Sequence, residues 1–276
     1  MGIVNCTPDS FSDGGQHPDA AAAVAHGQRM ATEGATWLDV GGESTRPGAA
    51  EVPVDDELAR VLPVVRELAA AGHAVSIDTR KASVAEAALE AGAMMVNDVS
   101  AGRHDPAILE VTASAGALYT AMHSRATPAD MQRAPRYDDV VAEVREELAD
   151  ALARAAAAGI APDRLVLDPG FGFAKDDGHN LTLLARLDEL HDLGAPLLVG
   201  LSRKRTLGHV TGRVDPGERL AASVAAVALA VAHGAALVRV HDVAPSLDAL
   251  RLATEVRRMA VRCQDNNRHG GPVAPA

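Results

Sequence analysis

The sequence predicts an α/β protein: a single (β/α)8 barrel over residues 1–260, followed by a short disordered tail over 261–276. Three observations point there. About eight short apolar runs alternate with longer stretches of helical spacing, the pattern of parallel βαβ units. Nearly every run ends in polar, chemically capable residues, and a barrel gathers all its strand C-termini around one mouth, whereas an open sheet scatters them along an edge. Aromatics make up only 2% of the 276 residues against an apolar fraction of 47%. Such a core is built from Ala, Val, Leu and Ile, which suits strands buried on both faces and helices packed closely through alanine. The alternation alone also fits a doubly wound open sheet; the polar strand ends favour the barrel.

In chain order, Gly2–Asn5 is too short for a helix and reads as the first strand, ending on the Asn5 amide. Ala20–Glu33 follows with apolar residues at helical spacing. Trp37–Val40 is the second strand and runs into GGESTR at Gly41–Arg46, after which Asp55–Ala71 reads as a helix. The third unit pairs Ala74–Asp78 with Ser83–Ala91, and the fourth pairs Met94–Asn97 with Ala107–Ala115. Leu118–His123 precedes a polar connection at Ala126–Pro135 and the helical stretch Asp138–Ala158. Leu165–Asp168 is followed by Asn180–Leu193, Leu197–Gly200 by Glu218–Ala232, and Leu237–His241 by Ser246–Met259. The residues after Met259 are rich in Asn, Gly and Pro and lack periodicity, hence the predicted tail.

Composition excludes several function classes. The formal net charge of −11 argues against a nucleic-acid binder, which needs a basic surface. Cys6 and Cys263 have neither disulfide-framework nor zinc-site spacing, which fits a reduced, cytoplasmic setting. No stretch approaches the ~20 apolar residues of a membrane span. Neither a GxxxxGK[ST] loop, a strand-borne GxGxxG nor a GxSxG elbow is present. Most histidines (His17, His26, His73, His104, His179, His191, His209, His233 and His269) are scattered and read as surface or packing residues.

The remaining chemistry sits at the strand ends. Asp78 closes AVSID, Asn97 and Asp98 close MMVND, and Asp168 closes LVLD. A lone buried carboxylate is costly and often caps a loop. Several converging on one mouth suit a planar ligand rich in N–H donors. Ser202–Lys204 (SRK) and Arg239–Asp242 (RVHD) follow the last two strands, where barrels often bind phosphate. Together they point to an anionic ligand. Thr7–Gly15, Gly41–Ala49 and Asp168–Lys175 are loops rich in Gly and Pro that carry polar residues, shapeable enough to close on ligands.

From Met1 to about Met259 the chain resembles the dihydropteroate synthases. The resemblance rests on MGIVNCTPDSFSDGG, DVGGESTRPGA, SIDTRKASVAEAAL, VNDVSA, Met122-His123, YDDVVAEV, LDPGFGFAK, GLSRKRTLG and RVHDV, in the family's order. It implies the condensation of 6-hydroxymethyl-7,8-dihydropterin pyrophosphate with p-aminobenzoate, in folate biosynthesis. It also implies a sulfonamide target, Mg2+ as cofactor, and a homodimer joined through the last helices. Asp78, Asn97, Asp168 and Lys204 would bind the pterin. Asn5, Arg239 and His241 would bind the diphosphate, with Asn5 also on the metal. Phe11, Thr45, Arg46, Pro47 and Ser202 would bind p-aminobenzoate, with Arg46 or a helix start at Ser202 facing its carboxylate. Asp13, Arg46, Asp78 and Lys204 would serve catalysis.

The chain departs from the family at Cys6, Ala174, Ser124–Thr127 and Thr206. Members also carry residues ahead of the MGIVN segment, so part of the first strand or a bottom hairpin is expected to be missing. Two other readings stay open at this point, a pterin-binding paralogue without catalysis and a methyltetrahydrofolate-dependent methyltransferase on the same barrel. The second needs no diphosphate site.

Overall fold

The computed structural model describes residues 1–7, 18–44, 49–125 and 136–269. Six strands form one parallel sheet in chain order: β1 (Gly2–Asn5), β2 (Trp37–Gly41), β3 (Ala74–Asp78), β4 (Met95–Asp98), β5 (Leu118–Met122) and β6 (Leu165–Asp168). Two shorter strands, β7 (Leu198–Val199) and β8 (Leu237–Val238), pair with each other. Parallel bridges Leu167↔Leu197 and Gly2↔Val240 join this pair to β6 and to β1. Ile3 N–H donates to the Val240 carbonyl and Val240 N–H to the Met1 carbonyl, both at 3.0 Å. The ring of eight strands is therefore closed, as the sequence predicts.

Each strand is followed by a helix packed outside it, because a strand inside such a ring has no face left for water. The helices are α1 (Pro18–Thr32), α2 (Val54–Ala70), α3 (Ala82–Glu90), α4 (Ala107–Ser114), α5 (Val140–Ala157), α6 (Asp177–Ala185), α7 (Arg205–Thr211), α8 (Leu220–Ala232) and α9 (Val243–His269). Val4, Leu38, Val40, Val75, Ile77 and Val96 are buried among Val61, Val65, Leu68, Val84, Ala85 and Ala88 of the helices. Each such aliphatic side chain contributes about 1.5–3 kcal/mol on full burial.

Most boundaries shift by a few residues, and the larger differences from the sequence prediction lie in three helical regions. Helix α7 is additional; at seven residues with Gly208 inside, it is too short to show periodicity. The stretch predicted as Asn180–Leu193 divides into α6 and a 3-10 segment, Leu187–Leu193. Helix α9 runs through His269, past residue 261 where the tail is predicted to begin. No Gly or Pro interrupts the chain between Pro245 and Gly270, so nothing stops the helix earlier. Residues 270–276 of the predicted tail lie outside the described residues.

Candidate active site

Strand register places the first group of polar residues. Asn5 pairs with Gly41, Gly41 with Asp78, and Asp78 with Asn97, so all four stand in one row of the barrel. Neighbours in register point the same way across a parallel sheet. Gly41 adds no side chain to the row; a Cβ there would lie 3.4 Å from Asp78 Cβ. One row below, Asp39 on β2 is fully buried. The sequence reading missed it. The available signal was a single acid inside the apolar run WLDV, which cannot stay buried without a partner.

That partner is Arg239, which follows β8. Its Nε donates to Asp39 Oδ2 at 2.6 Å and its Nη2 to Asp78 Oδ2 at 2.7 Å, while Asn97 Nδ2 donates to Asp39 Oδ2 at 3.1 Å. One guanidinium thus serves two carboxylates. Burial pushes Asp78 up to about 7; Arg239 opposes the rise and the Asp39 charge adds to it. Burial works against the charge on Arg239 as well, but Asp39 and Asp78 outweigh it and hold the guanidinium charged. Asp98, the other acid after β4, is occupied in its own loop. It accepts from Ser100 N and Oγ, Gly102 N and Tyr119 Oη at 2.6–2.7 Å.

The opposite wall comes from the loop after β6. Asp168 is buried and accepts from Gly170 N at 2.7 Å. Burial raises its pKa, against the Gly170 hydrogen bond and the charges of Lys204 and Arg239. Gly200 lies between the two sides, since a Cβ there would stand 3.9 Å from Arg239 Cβ and 4.0 Å from Asp168 Oδ2. Phe173 belongs to a small apolar cluster with Val99, Met122 and Ala174, separate from the main core. Lys204 Nζ lies 4.3 Å from the Phe173 ring centroid, a cation–π contact. Burial pulls Lys204 down to about 8, helped by Arg239 and opposed by Asp168 and Asp78. Val99, Met122 and Phe173 were also missed, because an apolar wall at a mouth is indistinguishable from core in a sequence.

Ser202 and His241 meet: Ser202 Oγ is 3.1 Å from His241 Nδ1 and accepts from His241 N at 3.2 Å. Burial pushes His241 down to about 4, with Arg203 and Arg239 acting the same way, so near neutral pH it is an uncharged imidazole. Two readings are corrected here. Arg203 is turned onto Asp242, with Nη2–Oδ1 at 2.6 Å and Nε–Oδ2 at 3.0 Å, in a left-handed backbone conformation (φ 58°). The SRK segment therefore brings Lys204, not Arg203, beside Arg239. The helix start expected at Ser202 comes at Arg205, and Ser202 lies in the preceding loop.

Phe11, Asp13, Thr45, Arg46 and Pro47 lie outside the described residues. The stems of the second loop are pinned. Lys81 Nζ contacts Glu43 Oε2 at 2.6 Å and Glu57 Oε2 at 2.5 Å, and donates to the Val52 carbonyl at 2.7 Å. Arg80 pairs with Glu43. Burial opposes these charges, but the pairing outweighs it, lowering Glu43 and raising Lys81. A surface depression of about 720 Å³ lies at the other end of the barrel, between α3 and α4, and holds none of the candidate site residues. Convergence of polar groups, not concavity, marks the site.

A closed barrel whose mouth sets buried carboxylates and an amide against two cations and an apolar wall is built for a flat, hydrogen-bonding ligand that also carries an anion. Comparison with known proteins agrees. A match to the pterin binding enzyme family covers residues 1–241. The dihydropteroate synthase of Mycobacterium leprae is 51% identical over 91% of each chain. The Xanthomonas albilineans dihydropteroate synthase in complex with 7,8-dihydropteroate superposes with a TM-score of 0.84 at 49% identity, over 93% of this chain and 92% of that one. The Yersinia pestis enzyme in a sulfonamide complex gives 0.88 at 46% identity over 94% of each. The chain belongs to the pterin-binding enzymes and, among them, to the dihydropteroate synthases, transferases of folate biosynthesis.

Proposed function

We propose that the mouth binds 6-hydroxymethyl-7,8-dihydropterin pyrophosphate with its ring on Asp78, Asn97, Asp168 and Lys204 and its diphosphate on Asn5, Arg239 and His241. The observation that carries this is Arg239, held between Asp39 and Asp78 and close to Asp168 across Gly200. In this reading the diphosphate draws Arg239 from Asp78, whose freed carboxylate takes the pterin's N–H donors. Phe173 supplies an apolar face for the ring. p-Aminobenzoate takes the remaining side, formed by Ser202 with Phe11, Thr45, Arg46 and Pro47.

The C–O bond then breaks with its electron pair leaving on the diphosphate. Arg239 and the partly buried Lys204 stabilise that departing charge. Asp78 and Asp168 stabilise the pterin methylene cation left behind. The arylamine nitrogen attacks it and then loses a proton. Asp13 and Arg46 serve catalysis with Asp78 and Lys204, and exclusion of water protects the cation from capture. Mg2+ fits this site. The Asn5 amide oxygen, at the end of β1 and half-buried, is a hard donor, and Mg2+ is commonly held by substrate phosphates with few protein ligands. When bound, it supplies charge neutralisation on the diphosphate.

The test is diphosphate release by the purified protein with pterin pyrophosphate and Mg2+, with and without p-aminobenzoate. Release that requires the arylamine and yields dihydropteroate is the expected result. Pterin binding without release would replace this reading with a non-catalytic pterin binder.

We also propose a homodimer through α8 and α9. Leu252, Val256 and Met259 are exposed at i, i+4 and i+7 on α9, and Leu229 is exposed on α8, a helix apolar on every side. A helix of that kind is normally covered. Size-exclusion chromatography with light scattering is expected to give the dimer mass, and Val256→Glu with Leu229→Glu the monomer. A monomeric wild type would remove this proposal. A cytoplasmic setting accords with the free thiol of Cys6, and among the described residues no helix is long and apolar enough to cross a membrane.

A further inference from the structure

We infer that Lys175 is a positioning residue for the pterin wall, fixing the shape of the loop that presents Asp168 and Phe173. The inference rests on the pocket assignment proposed above. Lys175 is 1% exposed, and among the described residues no carboxylate lies within ion-pair distance of it. Its Nζ lies 3.1 Å from the Gly170 carbonyl, 3.3 Å from the Phe173 carbonyl and 2.8 Å from His123 Nδ1. An ammonium has three donors, and three acceptors surround it. If His123 Nδ1 accepts, the imidazole proton is on Nε2, which lies 3.1 Å from Glu147 Oε2. Burial pushes His123 down to about 4, consistent with a neutral ring.

The loop needs an external hold. Gly170, Gly172 and Ala174 all adopt positive φ (71°, 78° and 48°), and the alanine does so against its own Cβ. Gly170 is pressed so closely on the end of β5 that a Cβ would fall 1.9 Å from the His123 carbonyl oxygen. Lys175 ties this strained turn to itself and to β5, and Glu147 of α5 lies beside the other ring nitrogen of His123 without an aligned hydrogen bond. Burial presses Lys175 down to about 7 despite the favourable charges of Asp168 and Glu147. A methionine would fill the same space without that cost, so the ammonium is explained by its donors, not by its packing.

The test compares Lys175→Met with wild type in steady-state kinetics for both substrates and in equilibrium binding of 6-hydroxymethylpterin. The expected result is pterin affinity weakened about tenfold or more, the size of lost hydrogen bonds to a charged donor. The KM for p-aminobenzoate is expected to stay within about twofold of wild type, and Lys175→Gln to recover part of the pterin affinity. A purely structural role would instead lower the melting temperature and the active fraction while leaving pterin affinity unchanged, and that result overturns the inference. If Lys175→Met does not fold, His123→Leu decides by the same measurement, with unchanged pterin affinity overturning it. Asp168→Asn separates the two levels. Wild-type pterin affinity in that variant rejects the pocket assignment and this inference with it. Loss there but not in Lys175→Met rejects the positioning role alone.

Discussion

Lys81 and Lys175 are both buried at the mouth of the barrel, yet they differ in every other respect. Lys81 touches two carboxylates, Glu43 and Glu57, and its charge is reinforced. Lys175 touches two carbonyls and an imidazole, and its charge is discouraged. The first lies under the β2–β3 side, where the stems of a loop must be held. The second lies under the β6 side, where the proposed ring-binding wall is shaped. Lys204, nearby, is likewise without a carboxylate in ion-pair range among the described residues, and it faces the mouth. Among these lysines the paired one builds scaffold, while the two left to carbonyls or a ring sit where the pterin is proposed to bind; Arg239, paired with Asp39 and Asp78 at the mouth, serves both purposes.

The largest expected effect tests the ligand side directly. Lys204→Ala and Arg239→Ala are each predicted to cut turnover by roughly 100-fold to 1,000-fold, as loss of one charge-stabilising group does. The Arg239 change should act mainly through the diphosphate, and it should also destabilise the fold because it leaves Asp39 buried without a cation. Near-normal kcat/KM in either variant would cancel that residue's role. Next, Lys81→Met is predicted to cost about 3–5 kcal/mol in denaturant unfolding, since it leaves the buried Glu57 without a cation and Glu43 with Arg80 alone. Lys175→Met strands no carboxylate and should cost less, about 1–3 kcal/mol for the buried carbonyls left without a donor. Equal losses would erase the distinction between the two lysines.

A third prediction concerns pH. The folded pKa of Asp78, about 7, lies above its unfolded value. The folded state therefore binds a proton between about pH 4 and 7 that the unfolded chain does not. This group's contribution to stability rises as pH falls through that window, whereas the proposed pterin binding to the carboxylate is expected to weaken. A titration of pterin affinity should show this acidic limb, and Asp78→Asn should lack it. The smallest effect is expected at Ala174. Its left-handed φ of 48° costs about 1 kcal/mol, which Ala174→Gly should relieve with turnover unchanged. A melting temperature that does not rise would place the strain elsewhere.

Much of this was legible because strands buried on both faces are continuous apolar runs, and their last residues make up the candidate site. β1, β3 and β6 begin and end where GIVN, AVSID and LVLD do. Asp78, Asn97, Asp168 and Arg239 could be picked out because polar residues at apolar strand ends need a reason. The illegible parts have physical causes too. Asp39 is hidden within its strand, and its cation stands 200 residues away. The left-handed turn of Arg203, which sends it to Asp242, follows from tertiary packing on Ser223 and Arg219. Residues 11, 13 and 45–47, read from motif alone, lie outside the described residues.

The seam between β1 and β8 has a consequence for how the molecule is made. Ile3 and Val240 are among the most distant residues in the chain, and they meet only when the last strand docks. Long-range closure of this kind is slow to nucleate. During synthesis, which proceeds at about 5–20 residues per second, Asp39 and Asp78 leave the ribosome long before Arg239. For that interval the nascent sheet is an open edge carrying two acids without their counter-ion. Arrival of one arginine bridges both as the ring shuts, so the step that completes the fold is also the step that assembles the candidate site.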